Sequence, residues 1–196
     1  LSPDGRSFVY ASRAAGNWDI YLQRVGGKTS INLTKDSTAD DTQPAFSPDG
    51  EQIAFRSERD GGGIFLMGAT GESVKRLTDF GYHPAWSPDG SEIVCDTAGF
   101  SRPDVRRASS KLFSVSLPSG EKRPIATESE DAAQPQVSPH GSRIAYWATG
   151  VRRDIWTVPR KGGKPVPVTQ DLHFDWNPVW SPDSGYLFFA SDRGGS

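Results

Sequence analysis

Five copies of one turn sequence, a column of large apolar residues two apart after each copy, and 36 glycines and prolines among 196 residues predict an all-β chain folded as a β-propeller of four-stranded antiparallel blades. The turn is Ser-Pro-Asp-Gly at 2–5, 47–50 and 87–90, and it returns as Ser-Pro-His-Gly at 138–141 and Ser-Pro-Asp-Ser at 181–184. Intervals of 45, 40, 51 and 43 residues leave room for four short strands per unit and too little unbroken periodicity for paired helices. Pro presets φ, Asp bonds forward to the backbone and Gly accepts positive φ, so each copy joins two strands. A β-sandwich has no reason to repeat one turn at such regular spacing.

The elements follow in order. After the turn come Phe8, Ile53, Ile93, Ile144 and Leu187, and two places later Tyr10, Phe55, Cys95, Tyr146 and Phe189, a period of two that reads as a strand. The residues between them, Val9, Ala54, Val94, Ala145 and Phe188, are also apolar, as expected where neighbouring blades cover both faces of a sheet. A third strand recurs as Ile20-Tyr21-Leu22, Ile64-Phe65-Leu66, Leu112-Phe113-Ser114 and Ile155-Trp156-Thr157. A glycine turn follows, then an outer strand ending at Leu33-Thr34, Leu77-Thr78, Ile125-Ala126 and Val168-Thr169. The expected blades are 1–34, 43–78, 83–126 and 134–169, with an incomplete one at 177–196. These make seventeen strands, about four and a half blades of a partial or open propeller cut within a blade at both ends, and so a portion of a longer chain.

Composition narrows the function. With 22 Lys and Arg against 24 Asp and Glu, a net −2, the chain lacks the basic footprint of a nucleic-acid binder. A single cysteine, Cys95, excludes an intrachain disulfide and a cysteine-built zinc site. No apolar run is long enough to span a membrane as a helix. Three histidines without metal-ligand spacing indicate no metal, and nothing indicates another cofactor. No G-x-S-x-G elbow or other catalytic motif occurs, so nothing argues for catalysis by this chain.

The segments Pro44-Ala45-Phe46-Ser47-Pro48-Asp49-Gly50, Pro84-Ala85-Trp86-Ser87-Pro88-Asp89-Gly90 and Pro178-Val179-Trp180-Ser181-Pro182-Asp183, each followed by an apolar strand, resemble the TolB-like bacterial propeller repeats, which are similar to WD repeats. His140, Ser184 and Val137 depart from the pattern. The resemblance implies a non-catalytic module that recognises a protein, peptide or saccharide at the channel-side loops, in the periplasm or otherwise outside the cytoplasm. As an alternative it admits a substrate-gating propeller beside a prolyl-oligopeptidase-like hydrolase domain, or a sensor domain of a bacterial kinase or transcriptional regulator.

The resemblance also implies that segments 35–43, 79–83, 127–134 and 170–177 cross to the channel. They hold nine acidic residues against one lysine, a formal −8 that would attract a basic peptide. Loops between second and third strands, expected on the same face, carry nine basic against five acidic residues, so mutual neutralisation stands beside binding. Each repeated proline follows a polar residue: Gln43, His83, Gln134 or Asn177, which the resemblance points toward the channel. With Asp40, Asp41, Asp131 and Asp175 these form the expected ligand-binding set. The insertion between Ala98 and Ser110, with Phe100, Arg102, Pro103, Arg106 and Arg107, is a further candidate for partner contact.

Overall fold

The computed structural model describes residues 1–99, 109–129, 131–149 and 153–194, so the five insertion residues just named lie outside the described residues. Seventeen strands and one 3-10 turn, Arg59–Gly61, occur among them. They fall into two compact units, Leu1–Trp86 and Ser87–Ser196. No helix among the described residues is long and apolar enough to cross a membrane.

In the first unit, β1 (Ser7–Ser12), β2 (Asp19–Arg24) and β3 (Ser30–Asn32) form one antiparallel sheet. A four-stranded sheet follows in chain order: β4 (Asp41–Phe46), β5 (Gln52–Ser57), β6 (Gly63–Gly68) and β7 (Lys75–Arg76). β8 (Tyr82–Trp86) is the last strand of the first unit and lies outside that sheet. In the second unit β9 (Glu92–Asp96), β10 (Leu112–Ser116) and β11 (Lys122–Ile125) lie side by side. The sheet of β12 (Ala132–Val137), β13 (Arg143–Thr149), β14 (Arg153–Pro159) and β15 (Val166–Pro167) again follows chain order, and β16 (Asp175–Trp180) pairs with β17 (Leu187–Ser191). Four-stranded antiparallel meanders in chain order are propeller blades.

The columns seen in the sequence are the core. Ile20, Ile53, Phe55, Phe65 and Met67 cluster in the first unit, and Val94, Leu112, Ile144, Tyr146 and Val158 in the second. The interleaved Ala54, Val94 and Ala145 are fully buried. Phe188 differs: it is 64% exposed, across from the exposed Val179 on the two-stranded sheet. Cys95 is buried, and burial pushes its thiol up to about 12, so it is an inert apolar filler.

Serine is the hub of the repeated turn. Ser47 donates its hydroxyl to Asp49 Oδ1 at 2.5 Å while accepting from the Gln52 backbone N–H at 2.9 Å. Asp49 Oδ1 also takes the Glu51 N–H. The same arrangement is built from Ser2 and Asp4, Ser87 and Asp89, and Ser181 and Asp183. The glycine position has positive φ throughout, from 68° at Gly90 to 78° at Gly50, and Ser184 adopts 59° in the same place.

The outer strands are shorter than the sequence suggests, because the Leu-Thr pair lies past their ends. Its threonine turns back to the third strand: the N–H groups of Ile20, Ile64 and Ile155 donate to the hydroxyls of Thr34, Thr78 and Thr169, each at 3.0 Å. Thr34 and Thr169 donate in turn to the buried Asp19 and Asp154. Gly63 stands where those aspartates would be, with φ 150° and a would-be Cβ only 2.0 Å from the Thr78 carbonyl oxygen.

Two outcomes follow. Gly90→Ala has open space and meets only left-handed strain, about 1 kcal/mol, whereas Gly63→Ala must also displace backbone and will lose several-fold more in urea unfolding. The carboxyls of Asp4, Asp49, Asp89 and Asp183 are held below the usual aspartate range, by their serine hydroxyls first except at Asp89, where Arg160 leads. Their stabilisation is therefore present above the ordinary carboxylate pKa and is lost as pH falls through the lowered values. Carboxylate NMR titration will find Asp49 depressed and Ser47→Ala will bring it back up.

Candidate functional site

The residue before each repeated proline is left-handed. Gln43, His83, Gln134 and Asn177 have φ of 54°, 49°, 50° and 53°. None is glycine, and both chirality and a following proline work against this conformation. A bulge accommodates it. Between Thr42 and Ala45 the inner strand carries one extra residue, so that Gln43 and Pro44 together face Phe55. Gln134 and Pro135 face Tyr146 in the same way, and Asn177 and Pro178 face Phe189. The large residues of the second apolar column fill the space beneath the bulge, and proline, having no N–H, leaves no donor stranded there.

In two of the four repeats the left-handed residue's backbone N–H is accepted by a side chain of the preceding blade. The His83 N–H donates to Gln43 Oε1 at 2.7 Å, and the Gln134 N–H to Asp96 Oδ2 at 2.7 Å. The tryptophan two places after the proline adds a second stitch. Trp86 Nε1 donates to the Ala45 carbonyl at 3.0 Å and Trp180 Nε1 to that of Gln136 at 3.1 Å. That acceptor is the residue after the repeated proline of the preceding blade.

The eight expected residues divide into four pairs. Gln43 and His83 meet directly, with Gln43 Nε2 3.1 Å from His83 Nε2, and both are half-buried. Gln134 Oε1 accepts from the buried Trp147 indole at 2.9 Å, while Asn177 is exposed. Asp40 and Asp131 hold equivalent joints, accepting the backbone N–H groups of Trp18 at 2.9 Å and Ser110 at 3.2 Å. Asp41 and Asp175 are fully buried and tied to arginines, Asp41 to Arg59 at 2.6 Å and Asp175 to Arg193 at 3.2 Å. Arg193 also pairs with Asp171. The excess of acid is therefore offset inside the blades at these positions, and what Asp41 and Asp175 do in the fold is anchor a guanidinium.

Burial raises the Asp41 carboxyl, with the Ser57 hydroxyl and the Arg59 charge pulling it back. The sequence holds a signal for these pairs that a charge count overlooks. Aspartate and arginine occur together in two repeats, and the other two carry Gly81 with Gly99 and Ala132 with Gly150 at the same places. Sequence reasoning also missed a cleft of about 620 Å³ in the first unit, lined by Asp36, Ser37, Glu58, Arg59 and Asp60 among others. Among the described residues no group of three or more His, Cys, Asp or Glu is placed to hold a metal ion.

Arg59→Leu leaves Asp41 buried and unpaired. The expected loss is about 3 kcal/mol at pH 7 in denaturant unfolding. It will shrink on acidification, because a carboxyl raised in the folded state destabilises less as it becomes protonated.

A family model described as the TolB β-propeller domain matches residues 1–104. An uncharacterised peptidase of Bacillus subtilis, YuxL, is 27% identical over 97% of this chain and 28% of its own length. The Tol-Pal system protein TolB of Francisella tularensis subsp. mediasiatica is 28% identical over 77% of this chain and 45% of its own. The chain thus spans between about a quarter and a half of these relatives. The solved structure of a candidate TolB from Agrobacterium tumefaciens has a TM-score of 0.80 at 24% identity, over 97% of this chain and 68% of that one.

Proposed function

The chain belongs to the TolB β-propeller family, and from that premise we propose that it is a non-catalytic binding module which takes a protein or peptide segment at the inner-strand bulges. One observation carries the reading: a polar side chain in a strained, left-handed conformation at the same place in four repeats. Strain of this kind is concentrated at functional sites, where the surrounding structure holds it in place. Amides and an imidazole offer paired donors and acceptors, which suit a peptide backbone, and also a saccharide, better than a point charge. The half-buried Asp40 and Asp131, set beside these bulges, favour a basic segment. Location goes with the family: periplasmic or otherwise extracytoplasmic. The peptidase relative favours one second reading, a propeller that gates substrate to a hydrolase domain elsewhere in the parent chain. A G-x-S-x-G domain encoded downstream would support it.

Hexalysine serves as the probe. Calorimetry is expected to show binding that weakens as salt rises. Asp40→Asn with Asp131→Asn will weaken it further, and the exposed pair Glu51→Gln with Glu121→Gln will not. Asn177→Gly keeps positive φ accessible while removing the amide, and should lower affinity about fivefold, the worth of one hydrogen bond. Equal losses from both carboxylate pairs, or salt-independent binding, would reduce the effect to general surface charge.

A further inference from the structure

We propose that the turn at 138–141 and the cavity beside it bind a carboxylate, which takes the place that an aspartate side chain fills in the four other copies of the turn. The site lies in the second unit, at the opposite end of the inner strand from the bulge, and does not rest on the binding face proposed above.

Two donors in this turn lack the acceptor that their counterparts have. Asp49 Oδ1 takes the Ser47 hydroxyl at 2.5 Å and the Glu51 N–H at 3.0 Å, and Asp4, Asp89 and Asp183 do the same in their own turns. With His140 in that position, the Ser138 hydroxyl, on a residue only 1% exposed, and the Ser142 N–H have no acceptor among the described residues. A donor left so costs about 1–3 kcal/mol when buried, which a ligand oxygen can return. The turn is otherwise intact. Ser138 still accepts the Arg143 N–H at 3.1 Å, the His140 N–H donates to Ser184 Oγ at 3.1 Å, and Gly141 keeps a φ of 70°. Solvent reaches the equivalent place, because the Asp89 side chain that makes both bonds in its own turn is 53% exposed.

The charge around the turn differs in the same direction. In the first unit the equivalent cavity, of about 380 Å³, is lined by Asp4, Asp49 and Glu51 together with Ala69 and Thr70, and by no basic residue. In the second unit a cavity of about 540 Å³ is lined by Asp89, His140, Ser142, Arg160 and Lys161 among others. Backbone bonds fix the correspondence: the Ala69 N–H donates to the Glu51 carbonyl and the Arg160 N–H to the Ser142 carbonyl, each at 3.0 Å. Asp49, Glu51, Ala69 and Thr70 are thus matched by His140, Ser142, Arg160 and Lys161, four changes toward positive charge at one place.

Arg160 is held 3.0 Å from Asp89 and 3.6 Å from Glu92, which leaves its Nε buried and without a partner among the described residues. Lys161 is exposed and has no ion pair among them, so it is the free charge of the site. The carboxylate near His140, that of Asp183, belongs to the next turn and is taken up there by Ser181 and the Gly185 N–H. Ser142 and Lys161 line the same cavity, so a carboxylate that accepts from the Ser142 N–H has Lys161 as its counter-ion.

The test titrates the 15N-labelled chain at pH 7.5 with sodium acetate and, separately, with a blocked Gly-Asp-Gly peptide, against sodium chloride at equal ionic strength. The Ser142 amide signal is expected to move saturably, while that of Glu51, which already has its acceptor, stays in place. Lys161→Gln should weaken binding about threefold, the worth of an exposed ion pair. His140→Asp restores the carboxylate of the other turns, so it should abolish the Ser142 response without loss of stability in urea unfolding. Saturation by acetate assigns the site to small free carboxylates, and saturation by the peptide alone assigns it to an acidic side chain of a protein. A Ser142 signal that moves no further with either probe than with chloride, that still saturates in His140→Asp, or whose affinity is unchanged in Lys161→Gln overturns the proposal.

Discussion

Among the described residues four inner strands hold one residue at positive φ directly before a proline, and in two of them a side chain of the neighbouring blade takes up the N–H that the conformation presents. A left-handed L-residue costs about 1–2 kcal/mol, close to what one hydrogen bond and the packing of an aromatic ring return. The x-Pro bulge presents one N–H, and in two cases the acceptor is a side chain of the preceding blade, Gln43 or Asp96. Phe55 and Tyr146 fill the space beneath. Blade-to-blade cohesion and the aim of the candidate binding side chains are thus one device, with the Trp86 and Trp180 indoles reinforcing it a few residues away.

What was legible in the sequence was local. Turn chemistry acts over about five residues, so the Ser-Pro-Asp-Gly copies announced the hairpins and the period-two columns announced the core. The serine could have been read further. It persists in all five copies, including those in which His140 and Ser184 replace the aspartate and the glycine, and this marks it as the centre of the turn. The left-handed bulge was not legible, because no glycine marks it and a following proline argues for extended backbone. Its support comes from acceptors 38 and 40 residues away.

The charged loops show why counting charge differs from placing it. Nine acids in four segments looked like a field, but Asp41, Asp171 and Asp175 meet arginines, and Asp40 and Asp131 cap backbone N–H groups. A carboxylate at the start of an inner strand is first a joint between consecutive blades. Asp41 illustrates the physics: burial raises its carboxyl, and the Ser57 hydroxyl and then the Arg59 charge, from the turn after β5, pull it only part of the way back. The two repeats without the aspartate also lack the arginine, since either alone would be a buried or stranded charge.

The two ends of a blade are consequently held by different kinds of interaction. At the Ser-Pro-Asp end four turns are closed by their own hydroxyl and carboxylate within six residues, with Arg160 of the following blade adding a contact at Asp89. At the bulge the decisive partners belong to the preceding blade, so whatever shifts one blade shifts the side chains presented by the next. The repeated turns supply rigidity of local origin, and the bulges carry the coupling. A binding face built on the coupled end follows the blade before it through contacts such as Gln43 to the His83 backbone, while the far end keeps its geometry.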